Sequence, residues 1–145
     1  MSEITVHTST AAPRSGLVTL THIIYGLHAF SALMGLLTPA FIVTSFLAGW
    51  PSIIGVILNL IKRNDVRGTW LESHFSWQLR TFFYALLWLL VTFMILVALG
   101  IPLTLVTLLV GVPIALVFAI ALGIWVLYRI ARGWLALVGG KPIDV

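Results

Sequence analysis

Charged residues are missing from two long stretches of the chain, residues 15–61 and 81–128, and this pattern limits the possible folds more than any other feature. A charged hinge, residues 62–80, separates them. An α-helix crosses the hydrocarbon of a bilayer in about 20 residues, so each stretch is long enough for two crossings and a turn. Only 8% of the residues are charged and the mean hydropathy is +1.14, whereas soluble domains carry about 25% charged residues. We therefore predict an all-α polytopic membrane protein with four transmembrane helices in two hairpins.

Prolines and glycines divide each uncharged stretch into two helices. The predicted helices of the transmembrane domain, 17–137, are 17–37, 39–61, 81–99 and 113–137, between a disordered cytoplasmic tail at 1–16 and a C-terminal tail at 138–145. Turns are predicted near residues 35–39 and within 100–112, because Gly-Pro combinations there interrupt the apolar pattern. Whether Pro51 and Pro102 bend helices or end them stays open at this stage.

The hinge carries a signal for a helix start. Thr69 and Glu72 have the spacing of a capping box, in which each side chain satisfies a backbone N–H of the first turn. A helix that begins there places Trp70, His74 and Trp77 on one face, which is typical of an amphipathic helix with tryptophans at head-group depth. We predict such an interfacial helix, continuing into the third span.

All eight basic residues lie in three places that a four-span topology puts on one side of the membrane. They are Arg14, Lys62, Arg63, Arg67, Arg80, Arg129, Arg132 and Lys141. The predicted turns on the opposite side contain no Lys or Arg, so the positive-inside rule predicts that both termini and the hinge are cytoplasmic. Topology and attraction to anionic phospholipids also explain the net charge of +4, and we do not predict nucleic-acid binding.

The hinge also offers side chains for binding. The candidate residues for lipid or partner contact are Lys62, Arg63, Arg67, Trp70, His74, Trp77 and Arg80. A basic side chain near an anionic leaflet contributes about 1 kcal/mol to membrane binding. The alternative is that these charges only mark topology, and the sequence favours neither interpretation.

Three polar residues, His22, Tyr25 and His28, lie inside the first predicted span, where polar residues are functional candidates by default. An imidazole there can ligate haem or a metal or relay protons, or it can be a neutral ring that hydrogen-bonds to another helix. We favour the second interpretation because no carboxylate or cysteine completes a ligand set. The sequence also has no recognisable catalytic motif. We therefore predict no enzyme activity, no cofactor and no metal.

Small residues recur every four positions along one face of the last predicted span. They are Gly111, Ala115, Ala119 and Gly123. Such a stripe lets a second helix approach closely, which is a main source of helix association in lipid. We favour packing within the bundle over a dimer interface.

Two segments, residues 55–83 and 128–143, resemble an uncharacterised family of small four-helix proteobacterial inner-membrane proteins. That family is distantly similar to the channel-forming subunit of the plastid inner-envelope protein import complex. The motif residues are Lys62, Arg63, Asp65, Trp70, Glu72, His74, Trp77, Gln78 and Arg80. The resemblance implies a multi-pass protein of the bacterial inner (cytoplasmic) membrane with four helices.

These observations favour a non-enzymatic small subunit or assembly partner of a larger membrane complex. Its partners would be the lipid bilayer, anionic phospholipids, and a second membrane protein or further copies of the chain. A component of a translocation or transport conduit is the alternative, which the plastid resemblance implies. A membrane enzyme or haem protein that uses His22, His28 or His74 is a third hypothesis.

Overall fold

The computed structural model describes the backbone of residues 12–37, 42–100 and 106–143, and within them all side chains outside 42–48, 99–100 and 107. The structure is helical, as predicted. Its elements are α1 (Ser15–Leu37), α2 (Ile42–Lys62), a 3₁₀ turn (Arg63–Val66), α3 (Leu71–Gly100), a π-helical turn (Thr107–Gly111) and α4 (Val112–Val138).

The first hairpin consists of α1 and α2. Helix α1 is described to Leu37. Of the turn predicted near residues 35–39, residues 35–37 are helical, so that part of the prediction is wrong, and residues 38–39 lie outside the described residues. Pro51 lies inside α2, which continues on both sides of it, so this proline does not end the helix. The loss of one backbone hydrogen bond at a proline is tolerated where neighbouring helices satisfy the freed carbonyl.

Helix α3 joins the hinge to the third predicted span without interruption. Its 30 residues extend for about 45 Å at 1.5 Å per residue, which exceeds the ~30 Å thickness of the bilayer hydrocarbon. The residues that sequence analysis assigns to an interfacial helix are therefore the first turns of a longer element. Their position at the membrane boundary remains a prediction.

Before α4, the chain passes through a π-helical turn, where the sequence predicts a break at residues 111–113. Helical backbone is described from residue 106 onward, and Pro113 occupies the first turn of α4, where a proline needs no intrahelical N–H partner. The break is therefore a local widening of the helix. Pro102 lies outside the described residues, so its role stays open.

Three helical segments are long and apolar enough to cross a membrane: Ser15–Leu37, Leu71–Ala98 and Leu108–Val138. They support the prediction of a membrane protein. The described part of the chain does not establish a fourth crossing by α2, and that crossing remains a prediction.

Among the described residues, the buried core lies near the hinge. Helix α1 is central and contacts α2, α3 and α4. The core near the hinge consists of Ile24, Tyr25, Val66, Leu71, Phe75, Trp77, Ile130, Leu137 and Ile143. In the most apolar 18-residue window of each candidate span, the share of buried residues is 28% for the first span, 6% for α3 and 0% for the last span. The far halves of α3 and α4 therefore expose apolar side chains on nearly all sides.

The last residue of the small-residue stripe, Gly123, takes part in packing within the chain. A Cβ at Gly123 would lie 2.8 Å from Cδ2 of Leu36, so the absence of a side chain lets α4 approach α1. Ala115 and Ala119 are partly buried, and Gly111 belongs to the π-helical turn.

Candidate functional site

The hinge is a compact turn, held by its own side chains. The Nζ of Lys62 forms a salt bridge of 2.9 Å with Oδ2 of Asp65. Gly68 adopts φ 74°, which is the left-handed region that glycine enters without strain. The chain thereby reverses between α2 and α3 within a few residues.

The predicted capping box does not form, because the Thr69 N–H bonds to the Val66 carbonyl and the Glu72 N–H to the Thr69 carbonyl. Glu72 Oε2 accepts a hydrogen bond from the Gly68 backbone N–H at 3.0 Å, so the carboxylate reaches back to the start of the helix. The Thr69 hydroxyl instead donates to the Val66 carbonyl at 2.7 Å. The prediction of Thr69 as the N-cap is wrong because α3 begins at Leu71, two residues later, and the Thr69 hydroxyl accepts no backbone N–H of its first turn.

His74 is fully buried and connects three parts of the chain. Its Nε2 lies 2.8 Å from the Lys141 carbonyl oxygen, and its Nδ1 lies 3.1 Å from the Tyr25 hydroxyl. A carbonyl can only accept, so Nε2 carries the proton, and the Nδ1 of this neutral ring accepts from the Tyr25 hydroxyl. This predicted contact residue therefore faces the interior of the protein.

Trp77 is also buried, against α4. Its indole N–H donates to the Arg129 carbonyl at 2.9 Å, and the Arg129 guanidinium lies 3.7 Å from the centroid of its ring, in cation–π geometry. The Arg129 Nε also donates to the Thr81 hydroxyl at 2.9 Å. The structure thus places Trp77, like His74, in contacts between helices, where it is not available to lipid or a partner.

The C-terminal segment folds back onto the hinge end of α3. Gly140 adopts φ 63°, its N–H bonds to the Leu137 carbonyl, and the Lys141 N–H bonds to the Ala136 carbonyl. These are the two hydrogen bonds of a Schellman C-cap, which turns the chain away from the helix axis. The Ile143 N–H then donates to the Ser73 hydroxyl at 3.0 Å. The sequence predicts only a tail here, although the pair Gly139-Gly140 is the kind of signal that marks a C-cap.

The polar residues of α1 bond to other helices, as the favoured interpretation predicts. Trp134 Nε1 donates to Nδ1 of His22 at 2.9 Å, and Nδ1 of His28 lies 2.8 Å from Oγ of Ser52. Among the described residues, no group of three or more His, Cys, Asp or Glu side chains could hold a metal ion.

A second polar contact joins α2 to α3. Asn59 is fully buried, and its Nδ2 donates to Oε1 of Gln78 at 2.9 Å and to the Phe75 carbonyl at 3.1 Å. Gln78 Nε2 in turn donates to the Thr21 carbonyl of α1 at 3.5 Å. The hinge end of the bundle is therefore connected by hydrogen bonds as well as by apolar packing.

The remaining candidate contact residues lie at the surface. Lys62, Arg63, Arg67 and Arg80 are exposed. Trp70 is partly buried, and its ring packs edge-on against His74 with centroids 5.6 Å apart. The exposed surface of the hinge is therefore mainly basic. Its aromatic residues are partly or fully buried below that surface.

Comparison of the chain with protein-family models, with curated proteins and with solved structures found no significant match.

Proposed function

We propose that the chain is a non-enzymatic integral protein of the bacterial inner membrane that serves as a small subunit or assembly partner of a larger membrane complex. Its exposed basic hinge contacts anionic phospholipids and a partner at the cytoplasmic face, and its apolar helices contact lipid or the helices of that partner. We further propose four crossings, with α2 as the second span and both termini cytoplasmic.

The unequal burial of the helices carries this proposal. The hinge end has a hydrogen-bonded core. Farther along, α3 and α4 contact each other, as between Trp88 and Phe118, but the most apolar window of α3 is only 6% buried and that of the last span 0%. Helices gain stability in lipid by close packing. The apolar side chains that α3 and α4 leave exposed therefore form a surface on which the helices of a partner can pack.

The way the histidines bond within the described residues supports a role without catalysis. His22, His28 and His74 each bond to a neighbouring helix or to the C-terminal segment. A catalytic site needs a nucleophile, a base and a stabilising group around one substrate position, and within the described residues these histidines are separate structural contacts. A conduit is the weaker candidate for a related reason: Thr21, Tyr25 and His28 are buried among helices.

In vivo photo-crosslinking tests the proposal. A photoreactive residue replaces Arg67 in the exposed hinge, Leu109 in the far half of the last span, which is 70% exposed, or Phe75, which is fully buried. We expect one defined membrane protein, or a second copy of the chain, to be captured from positions 67 and 109 and not from 75. Lipid adducts alone, together with a single monomer band in native gels, would contradict it.

A further inference from the structure

A cleft of about 350 Å³ opens between the hinge and one face of α3. Its lining residues are Arg63, Ser76, Leu79, Arg80, Phe83 and Tyr84. Those from α3 recur with helical spacing and therefore form one continuous face. Positions 76 and 84 are about 12 Å apart along the helix axis, at 1.5 Å per residue. The 3₁₀ turn contributes Arg63 to the lining.

The two arginines of the cleft lack acidic partners within the described part of the chain. Asp65 is paired with Lys62, and Glu72 accepts from the Gly68 N–H. Arg129 lies close enough to Arg80 for repulsion between like charges, which adds to the positive potential. Guanidinium groups bind phosphate oxygens through two parallel hydrogen bonds, so this pair suits a phosphate monoanion.

Apart from Leu79, the polar lining residues precede the apolar ones along the chain, in the order of a phospholipid. Arg63, Ser76 and Arg80 belong to the charged hinge, and Phe83 and Tyr84 begin the uncharged stretch of α3. The Ser76 hydroxyl makes no hydrogen bond to another described residue, so it can donate to a ligand. A head group in the polar half would leave its acyl chains beside the exposed Phe83 and the apolar surface beyond it.

We propose that this cleft binds the head group of an anionic phospholipid, with the phosphate between Arg63 and Arg80. The inference rests on the proposed position of the hinge at the cytoplasmic membrane face. A zwitterionic head group is disfavoured because its ammonium group would enter a positive cleft without a carboxylate. The anionic phospholipid is then a specific ligand of the chain.

Equilibrium binding to the purified full-length chain in a non-ionic detergent micelle tests the site. The probes are short-chain phosphatidylglycerol, short-chain phosphatidylcholine and inorganic phosphate, each measured by native mass spectrometry and calorimetry. The variants Arg63→Gln and Arg80→Gln each remove one cleft charge. Arg67→Gln is the matched control because Arg67 is exposed in the same hinge and does not line the cleft. Circular dichroism checks the fold, and Arg63→Gln, in an exposed turn, keeps the test valid if Arg80→Gln fails to fold.

We expect phosphatidylglycerol to bind the wild type and each cleft variant to lose roughly tenfold in affinity, because a charge-assisted pair of hydrogen bonds is removed. Arg67→Gln should change the affinity less than about twofold, as for a screened surface charge. Equal losses in all three variants, no loss in either cleft variant, equal binding of phosphatidylcholine, or competition by inorganic phosphate at the same concentration would each overturn the lipid site. Those results leave the crosslinking of a partner untouched, so the two proposals fail separately.

Discussion

His74 forms hydrogen bonds to two other parts of the chain at the hinge end. One ring nitrogen donates to the Lys141 carbonyl and the other accepts from Tyr25, so the imidazole connects α3 to α1 and to the C-terminal segment. A buried polar group must keep its partners, because an unsatisfied one costs about 1–3 kcal/mol. The carbonyl that His74 faces fixes the proton on Nε2.

Tyr25→Phe tests this contact. The substitution keeps the ring stacked on Trp134, with centroids 6.3 Å apart, and removes only the donor to His74. We expect the free energy of unfolding in detergent to fall by about 1–3 kcal/mol. Tyr128→Phe is the control, since Tyr128 is 62% exposed, and it should change stability by less than about 0.5 kcal/mol. Equal effects of the two variants would show that the hydroxyl contact contributes nothing.

Gly133 marks the closest approach of α1 and α4. A Cβ at this position would collide with the hydroxyl of Tyr25 and lie 2.9 Å from its Cζ. Gly133→Ala should therefore lower thermal stability, because a clash of this kind costs about 1–3 kcal/mol and outweighs a gain in helix propensity of at most about 1 kcal/mol. Gly35→Ala in α1, where nothing lies within 4 Å, should be neutral or stabilising. A Gly133→Ala variant as stable as Gly35→Ala would contradict this packing.

At the scale of elements, the C-terminal segment is a structural part of the hinge. The Schellman cap after α4 directs Lys141 toward His74 and Ile143 toward Ser73, and Ile143 is buried in the core. The first turns of α3 are thereby held between α1 and the end of the chain. The charged residues of the hinge are therefore joined to a part of α3 that is packed on both sides.

Ser73→Ala removes the acceptor of the Ile143 N–H. We expect faster hydrogen exchange at that amide by roughly tenfold, which corresponds to the loss of about 1.4 kcal/mol in local stability. Ser76→Ala on the same helix is the control, because the Ser76 hydroxyl bonds to no described residue. Exchange at Ile143 that is unchanged in Ser73→Ala would show that the segment is held by other contacts.

The helical fold follows from the two uncharged stretches. The prediction for the first turns of α3 was less complete. Spacing alone correctly places Trp70, His74 and Trp77 together, but it cannot tell whether that face meets lipid or protein. The answer depends on Tyr25, Arg129 and Lys141, which are distant in the sequence. The role of the C-terminal segment was missed for the same reason.

At the scale of the whole molecule, the basic residues and the buried core lie at the same end of the helix bundle. The hydrogen-bonded core, the basic cleft and the hinge lie at one end of the bundle, and apolar helices extend from it. If that end faces the cytoplasm, the positive charges meet an anionic leaflet and the apolar helices lie in hydrocarbon. Both proposals depend on this orientation.

Single-cysteine labelling in intact cells tests the orientation most directly, and the chain has no cysteine of its own. Arg14→Cys, Arg67→Cys and Lys141→Cys replace exposed residues at the three basic places. Pro39→Cys and Leu103→Cys report on the predicted outer turns. The account predicts that a membrane-impermeant maleimide labels positions 39 and 103 from outside and positions 14, 67 and 141 only after lysis. Labelling of position 67 from outside, or of positions 39 and 103 from opposite sides, would contradict it.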